Sequence, residues 1–334
     1  LGSRTLEWET NTSFDVALEF GLFKNRINGT IEYFDRQSTN LIFAVPLPLS
    51  VGIQTETRNI GSMYNRGFEI QLSGDVIRTK DFVWNIDVNA TKLENKITKM
   101  PAQSKEIIDG TKKLKEGTSL YDYWLREYKG VNPENGVAEY RAISFVASNS
   151  RITATGDTLT NNIANARFWY NGTSIPDLTG SVTNSIRYKG FTLSALMVYQ
   201  LGGKIYDAAY AGLMGAGYHN AKHVDILNRW VNPGDKTNVP RMDNGRTADF
   251  DAASDRWLID GSYMNVRSVT LSYNLPKTLA RKLKMDNAQV YLSGENFIML
   301  SKRSGMNVQQ NFGGTTSNVY SPAKSLVIGL SFSL

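Results

Sequence analysis

The chain has no cysteine and only two histidines among its 334 residues. Without thiols there is no disulfide framework, no thiolate metal site and no cysteine nucleophile. Two imidazoles leave little material for general acid–base chemistry. Long apolar runs are missing as well. Nowhere do about 18 apolar residues follow one another, so no transmembrane helix is encoded, which leaves crossing by β-strands open. Charge of one sign is not concentrated either. Lys and Arg outnumber Asp and Glu by 37 to 31, a net charge of +6, yet they are scattered, with GTKKLKEG at 110–117 as the densest patch. Nucleic-acid binding needs basic residues gathered on one face and is not expected. The chain opens at Leu1 with no Met, charged n-region or apolar h-region, so any signal peptide is expected to lie outside it.

What is present is apolar residue and tyrosine. Hydrophobic residues make up 41% and charged residues 20%, which excludes wholesale disorder, and 16 Tyr stand beside 14 Phe and 6 Trp. Tyrosine in such excess favours strands and wet interfaces, so the chain is expected to be predominantly β. In SLVIGLSFSL at the end, Leu326, Ile328, Leu330, Phe332 and Leu334 alternate with Ser325, Val327, Gly329, Ser331 and Ser333. Phe14, Val16, Leu18, Phe20 and Leu22 alternate likewise with Asp15 and Glu19. The stripe returns at Phe68–Leu72, Trp84–Ala90 and Phe191–Leu201, and more weakly near 26–36, 262–275 and 288–299. Period two puts one apolar and one polar face on each segment.

Segments of about ten alternating residues have the length of a transmembrane β-strand, whereas soluble sandwiches usually run to five or six. The connections alternate short and long: 24–25, 78–81, 132–136, 189–190 and 276–287 against 37–65, 93–117, 146–179, 202–261 and 300–322. Such sorting is the wiring of an outer-membrane barrel, with short periplasmic turns and long extracellular loops. About eleven strands are expected. Because such barrels close on an even number and no open edge can sit in lipid, roughly the first half of the barrel is expected to be absent from the chain. A soluble all-β glycan-binding or glycan-cleaving protein, with stripes facing each other across a sandwich, and a passive porin are the alternatives.

Several ordered segments carry a resemblance: NIGSMYNRGFEIQLSG, YKGVNPENG, YNGTSIPDLTGSVTNSIRYKGFTLSA, LGGKIYD, SDRWLIDGSYMNVRSVTLSYNLP and VYLSGENFIMLSKRSGMN. Together they resemble the C-terminal barrel of SusC/RagA-type TonB-dependent transporters of Bacteroidetes, over nearly the whole of residues 1–334. The resemblance implies an all-β, 22-stranded antiparallel transmembrane barrel in the bacterial outer membrane. It implies an N-terminal plug and a TonB-contacting segment, both absent here, and no enzyme activity or cofactor. Its partners would be a SusD-like surface lipoprotein acting as a lid, the TonB complex, outer-membrane lipid and an oligosaccharide or oligopeptide, in a dimer of transporter–lid pairs. The chain departs from the pattern in ending on Leu334, where many outer-membrane strands end on an aromatic; Phe332 stands nearest.

Aromatic faces in the long connections stack on sugar rings or peptide backbones while their polar edges stay hydrated. The substrate or lid candidates are Tyr121, Tyr123, Trp124, Trp169, Tyr170, Tyr218 and Trp230, set against the plainer reading of loop anchors or girdle aromatics. No metal is expected, although His219, His223 and Asp225 in HNAKHVD, and Asp249, Asp251 and Asp255 in ADFDAASD, have some ligand spacing. GLMGAG lacks the lysine and the βα context of a phosphate loop. Glu69 and Asp75 could be imagined as the carboxylate pair of a glycosidase but fit a wet lumen better.

Overall fold

Backbone groups in a bilayer must be paired within the protein, and one long ladder does this here. A computed structural model describes residues 6–59, 61–101, 104–215, 221–243, 247–303, 307–309, 312–316 and 321–333. Nine strands form a single antiparallel meander: β1 (Thr10–Leu22), β2 (Ile27–Thr39), β3 (Ser62–Arg78), β4 (Phe82–Lys99), β5 (Leu178–Tyr188), β6 (Phe191–Leu201), β7 (Tyr263–Asn274), β8 (Asn287–Ser301) and β9 (Ser325–Ser333). Each pairs with its sequence neighbour, so β1 and β9 are bonded on one side only.

The expected count of about eleven strands becomes nine. The two segments around the Asn132–Gly136 turn, Tyr128–Val131 and Ala138–Arg141, are four residues each. Both fall short of the nine to eleven or so needed to cross a membrane, and they pair in a separate small sheet. The expected loops near 93–117 and 146–179 are thereby parts of one connection, 100–177. The alternation of lengths survives. Links 23–26, 79–81, 189–190 and 275–286 lie at one edge of the sheet, and 40–61, 100–177, 202–262 and 302–324 at the other.

The two faces differ as the alternation demands. On the outer face, rungs such as Leu18–Ile31–Ile70–Ala90 and Ile186–Leu193–Leu271–Leu292–Ile328 run across the strands. Most of these side chains stay uncovered, with Leu18 at 64% and Ile328 at 76% of full exposure, and none is buried. A sandwich would bury them against a second sheet, so that alternative fails. Aromatics gather near the band margins: Tyr33 and Phe68 at 5.2 Å toward the long connections, Phe191 and Tyr273 at 4.4 Å toward the short turns. Trp84 donates its indole N–H to Asn184 Oδ1 at 3.2 Å, which satisfies the one amide set in this stripe on β5. At Gly180 a Cβ would lie 2.6 Å from the Tyr199 hydroxyl. The missing side chain lets Tyr199 lie across β5 and donate to the Asn89 carbonyl at 3.1 Å.

The inner face is hydrophilic. Asn89 donates to Ser181 Oγ at 2.6 Å, and Thr270 and Ser293 hydroxyls meet at 2.7 Å. Glu69 and Asp75 both lie on this face, six residues apart on β3. At about 3.3 Å per residue they stand roughly 20 Å apart, far beyond the spacing of a glycosidase pair.

The two faces should respond differently to charge. Leu193→Arg, one outer-face position in from the Phe191 margin, is expected to cost about 1–2 kcal/mol in assembly, between the interface and midplane values, whereas Ser194→Arg, on the inner face, assembles normally. Heat-modifiable gel migration after refolding of the full-length protein into lipid vesicles is the measurement, and equal damage from both would contradict the two-faced wall.

Candidate functional site

The membrane wall has no covered core, but the long connections do. Tyr123 and Leu125 from 100–177 pack with Tyr206, Met214, Ile226, Val239, Phe250 and Trp257 from 202–262. Val45 from 40–61 meets Ile97, Met100, Ile107 and Leu114. Ala138, Tyr140 and Ala166 close over Ala252. Two four-stranded sheets of short strands order the 100–177 connection, one of them joining Phe168–Thr173, Asp122–Arg126, Lys112–Lys115 and Glu106–Asp109. Apolar burial of this kind makes a folded module of segments that would otherwise be floppy loops.

At its centre three connections are stitched by polar contacts. Lys112 Nζ donates to the Tyr121 carbonyl at 2.7 Å and to Ser174 Oγ at 3.1 Å, and lies 3.2 Å from the Tyr123 ring centroid. Ser174 donates to the Phe312 carbonyl. The Tyr123 hydroxyl lies 2.6 Å from the Gly314 carbonyl and 3.1 Å from that of Lys204. Burial pulls the Lys112 ammonium down to about 7, against the upward pull of Asp122, and pushes the Tyr123 phenol up to about 12. A second stitch centres on Asp207, 2% exposed, which caps the helix Ala208–Met214 and accepts from Thr316 Oγ1 and Arg303 Nε, both at 3.1 Å. Arg303 also lies 3.9 Å over the Tyr210 ring, and Tyr210 donates to Asp225 at 2.7 Å.

The candidate aromatics therefore divide. Tyr123 is wholly buried, and Tyr121 is edge-on to Phe312 at 5.6 Å. Trp124 stacks on Phe168 at 6.2 Å and meets Tyr170 at 4.8 Å, with Lys113 Nζ 4.2 Å over its ring. Trp230 lies against Gly136, where a Cβ would sit 2.3 Å from its ring, and its indole donates to the Pro133 carbonyl at 2.9 Å. These are anchors of the module. Trp169 alone of the described tryptophan candidates stays more than half exposed, at 53%, with Arg167 at 4.8 Å over its ring. Tyr218 and His219 lie outside the described residues.

Of the spaced His and Asp residues that are described, His223 and Asp225 approach to 3.3 Å and the others are placed separately. His223 Nδ1 accepts the Asp225 N–H at 3.2 Å, so it serves as a turn cap. The Asp249 carbonyl accepts the Tyr140 hydroxyl at 2.6 Å, Asp255 Oδ1 accepts the Tyr128 N–H at 2.8 Å, and Asp251 stands exposed, its carboxyl raised by the partial loss of water around it. Among the described residues no three potential ligands gather. Sequence patterning gives no notice of Trp257, 1% exposed with its indole on the Ala252 carbonyl at 3.0 Å, or of Arg256, packed within 5.4 Å of the Tyr128, Phe250 and Trp257 rings. Outward-facing Ile143, Phe145 and Ile152, at 67%, 55% and 62% exposure, are further residues that the patterning misses, although AISFV at 142–146 is an apolar run amid polar sequence. Stacked rings, fixed cations and exposed apolar side chains are groups suited to contact with a ring, a peptide backbone or a partner surface.

Lys112 gives the module a pH dependence. A lysine in the open, solvated chain titrates near 10.4, so between about pH 7 and 10 the open state binds more protons than the closed one. Closure is then strengthened as pH rises through that window and weakened as it falls toward 7. Amide-exchange protection of Asp122–Arg126, corrected for intrinsic rate, is expected to rise from pH 7.5 to 9.5, and Lys112→Met to flatten the rise; an unchanged slope in the variant would refute the assignment.

Comparison with known proteins agrees with this architecture. The family model described as TonB dependent receptor-like, beta-barrel matches residues 1–297. TonB-dependent receptor P3 of Formosa agariphila is 28% identical over 317 residues, covering 92% of this chain and 31% of the relative. TonB-dependent receptor SusC of Bacteroides thetaiotaomicron is 26% identical, covering 98% and 32%. The chain thus spans about a third of the curated relatives it matches. The solved RagAB peptide transporter superposes with a TM-score of 0.87 at 22% identity, over 99% of this chain and 36% of that one. All but the end of the last of the ordered segments that resemble SusC/RagA-type proteins lie inside residues 1–297, and with the two-faced nine-stranded wall they place the protein in the bacterial outer membrane: the chain belongs to the TonB-dependent receptor β-barrel family.

Proposed function

We propose that this chain forms the C-terminal part of the barrel of an energised importer of nutrient oligomers, oligosaccharides or oligopeptides, working with the TonB complex and a SusD-like lid lipoprotein. The observation that carries it is the sorting of the connections. Every short link lies at one edge of the wall, and the opposite edge carries a folded module with its own buried clusters. A passive pore has no evident need of so large a cored module. On this reading the module faces outward, further strands complete the ladder at β1 and β9, and the hydrophilic inner face lines the lumen. Support also comes from the RagAB peptide transporter and SusC, the proteins it is similar to. The lid would rest on outward-facing apolar side chains of the module such as Phe145 and Ile152, and Trp169 would contact lid or substrate.

Two experiments test this reading. Deleting the TonB system in the source bacterium should abolish growth on the imported oligomer; undiminished growth would exclude active import. Trp169→Ala is expected to weaken lid association or uptake with little change in stability, whereas Trp230→Ala should destabilise the module by about 1–3 kcal/mol, because it removes the ring packed on Gly136 together with one of the two donors to the Pro133 carbonyl, the other being the Gly234 N–H. Lid pull-down, uptake and thermal unfolding measured together check the contrast, and a Trp169→Ala protein with normal association and uptake would remove that residue from the binding surface.

A further inference from the structure

The outer face of the wall changes character at one height. Along β4 it reads Phe82, Trp84, Ile86, Val88 and Ala90, then Lys92, Glu94 and Lys96. The neighbouring strands change at the same level. Three registered rungs cross β2, β3 and β4 there: Tyr33–Phe68–Lys92, Asp35–Arg66–Glu94 and Gln37–Tyr64–Lys96. The lowest still belongs to the aromatic margin of the apolar band, and the next two are polar.

Within these rungs the carboxylate of Glu94 is already neutralised. The Tyr64 hydroxyl donates to Glu94 Oε1 at 3.0 Å, Arg66 Nε donates to Oε2 at 3.0 Å, and the Arg66 guanidinium lies 4.2 Å over the Tyr64 ring. Asp35 stands on β2 across Arg66 from Glu94. Three cations face two carboxylates, and the two lysines flank the occupied one, with Lys92 on the same rung as Phe68. The β4–β5 pairing ends at Thr91–Thr179, so Lys92 and Lys96 stand above the rim of β5. Nothing similar appears at the short-turn margin among the described residues, where the outer rung is Phe82–Tyr188–Phe191–Tyr273. Nor do β6 and β7 repeat it, since Tyr199 pairs with Met264 at their upper margin.

A lysine at the top of an apolar band extends its ammonium to the headgroup level while its stem covers apolar surface. Two such lysines around a pre-neutralised carboxylate, with aromatic rings just below, match an amphiphile: acyl chains on Phe68, Ile70 and Val88, and an anionic group above. We propose that Lys92 and Lys96, held in register with Arg66 and Tyr64, bind the phosphate of an anionic lipid headgroup in the outer leaflet. The leaflet rests on the reading that the long-connection edge faces outward; the binding chemistry does not.

The test uses the full-length transporter in phosphatidylcholine nanodiscs containing spin-labelled phosphatidic acid or spin-labelled phosphatidylcholine. The wild type should prefer the labelled phosphatidic acid. Each lysine is worth about a factor of five, so Lys92→Gln/Lys96→Gln should lose most of that preference, while Lys189→Gln at the short-turn edge keeps it. Heat-modifiable migration verifies that each variant has folded. Ten millimolar inorganic phosphate should leave the preference intact; full competition by it would assign the site to free phosphate and overturn the lipid proposal, as would equal preference in the double variant or none in the wild type. Labelling of Lys96→Cys by a membrane-impermeant maleimide on intact cells reports orientation separately: a protected cysteine beside a lost lipid preference would refute the outward reading and the leaflet, and leave the headgroup site standing.

Discussion

Backbone hydrogen bonding without water is the constraint on which the rest of this molecule depends. An amide that crosses a bilayer has no solvent to fall back on, so the chain commits its longest regular segments to one uninterrupted ladder from β1 to β9. Once that ladder exists, side-chain direction follows from the pleat, and period two alone separates a lipid-facing stripe from a wet one. Stability of the wall then rests less on a covered core than on paired backbone and on cross-strand contacts such as Tyr33 with Phe68 or Tyr199 over Gly180. The ordinary hydrophobic core of a soluble domain is displaced to the long connections, where Trp257, Tyr123 and Met214 are sealed from water.

The wall is legible in the sequence wherever the pleat is regular. The stripes of β1, β3, β4, β6 and β9 can be read off directly, because no residue interrupts the alternation in their central stretches. In β7 it looks weak for a physical reason: a bulge at Arg267 shifts the phase, so Met264 and Val266 share a face with Val269, Leu271 and Tyr273. β8 carries the matching irregularity at Asn296, with a φ of +54° and a side chain that accepts from Arg267 at 3.2 Å, but it keeps its phase, Leu292 and Ile298 pointing the same way. A bulge is ordinary sheet geometry that a strict period does not register. The Asn132–Gly136 turn misleads for the opposite reason: a tight turn between two short strands has the same local chemistry in a module as in a barrel, and only strand length separates them.

The candidate surface is less legible than the wall. Aromatic residues in long connections are identifiable as important, but whether a ring binds a partner or anchors a fold depends on what covers it, which is a property of contacts between connections far apart in the chain. Trp230 and Trp169 carry the same side chain and differ in what covers them: Gly136 and Pro133 lie against the first, while the second stays half exposed with Arg167 over its ring. The half-buried Arg256 among three aromatic rings is harder still, since nothing in SDRWLID announces that its arginine packs on them.

The stitch at Lys112 has an evolutionary consequence. Its partners come from one connection at Tyr121 and Ser174, and through Tyr123 and Ser174 from two others at Lys204, Phe312 and Gly314. Those connections are separated in sequence by membrane strands, yet each contributes a partner to the same buried cluster. Loops on many barrels drift independently. Here contacts join three connections, so a substitution at the stitch in one of them is expected to call for compensation in the other two.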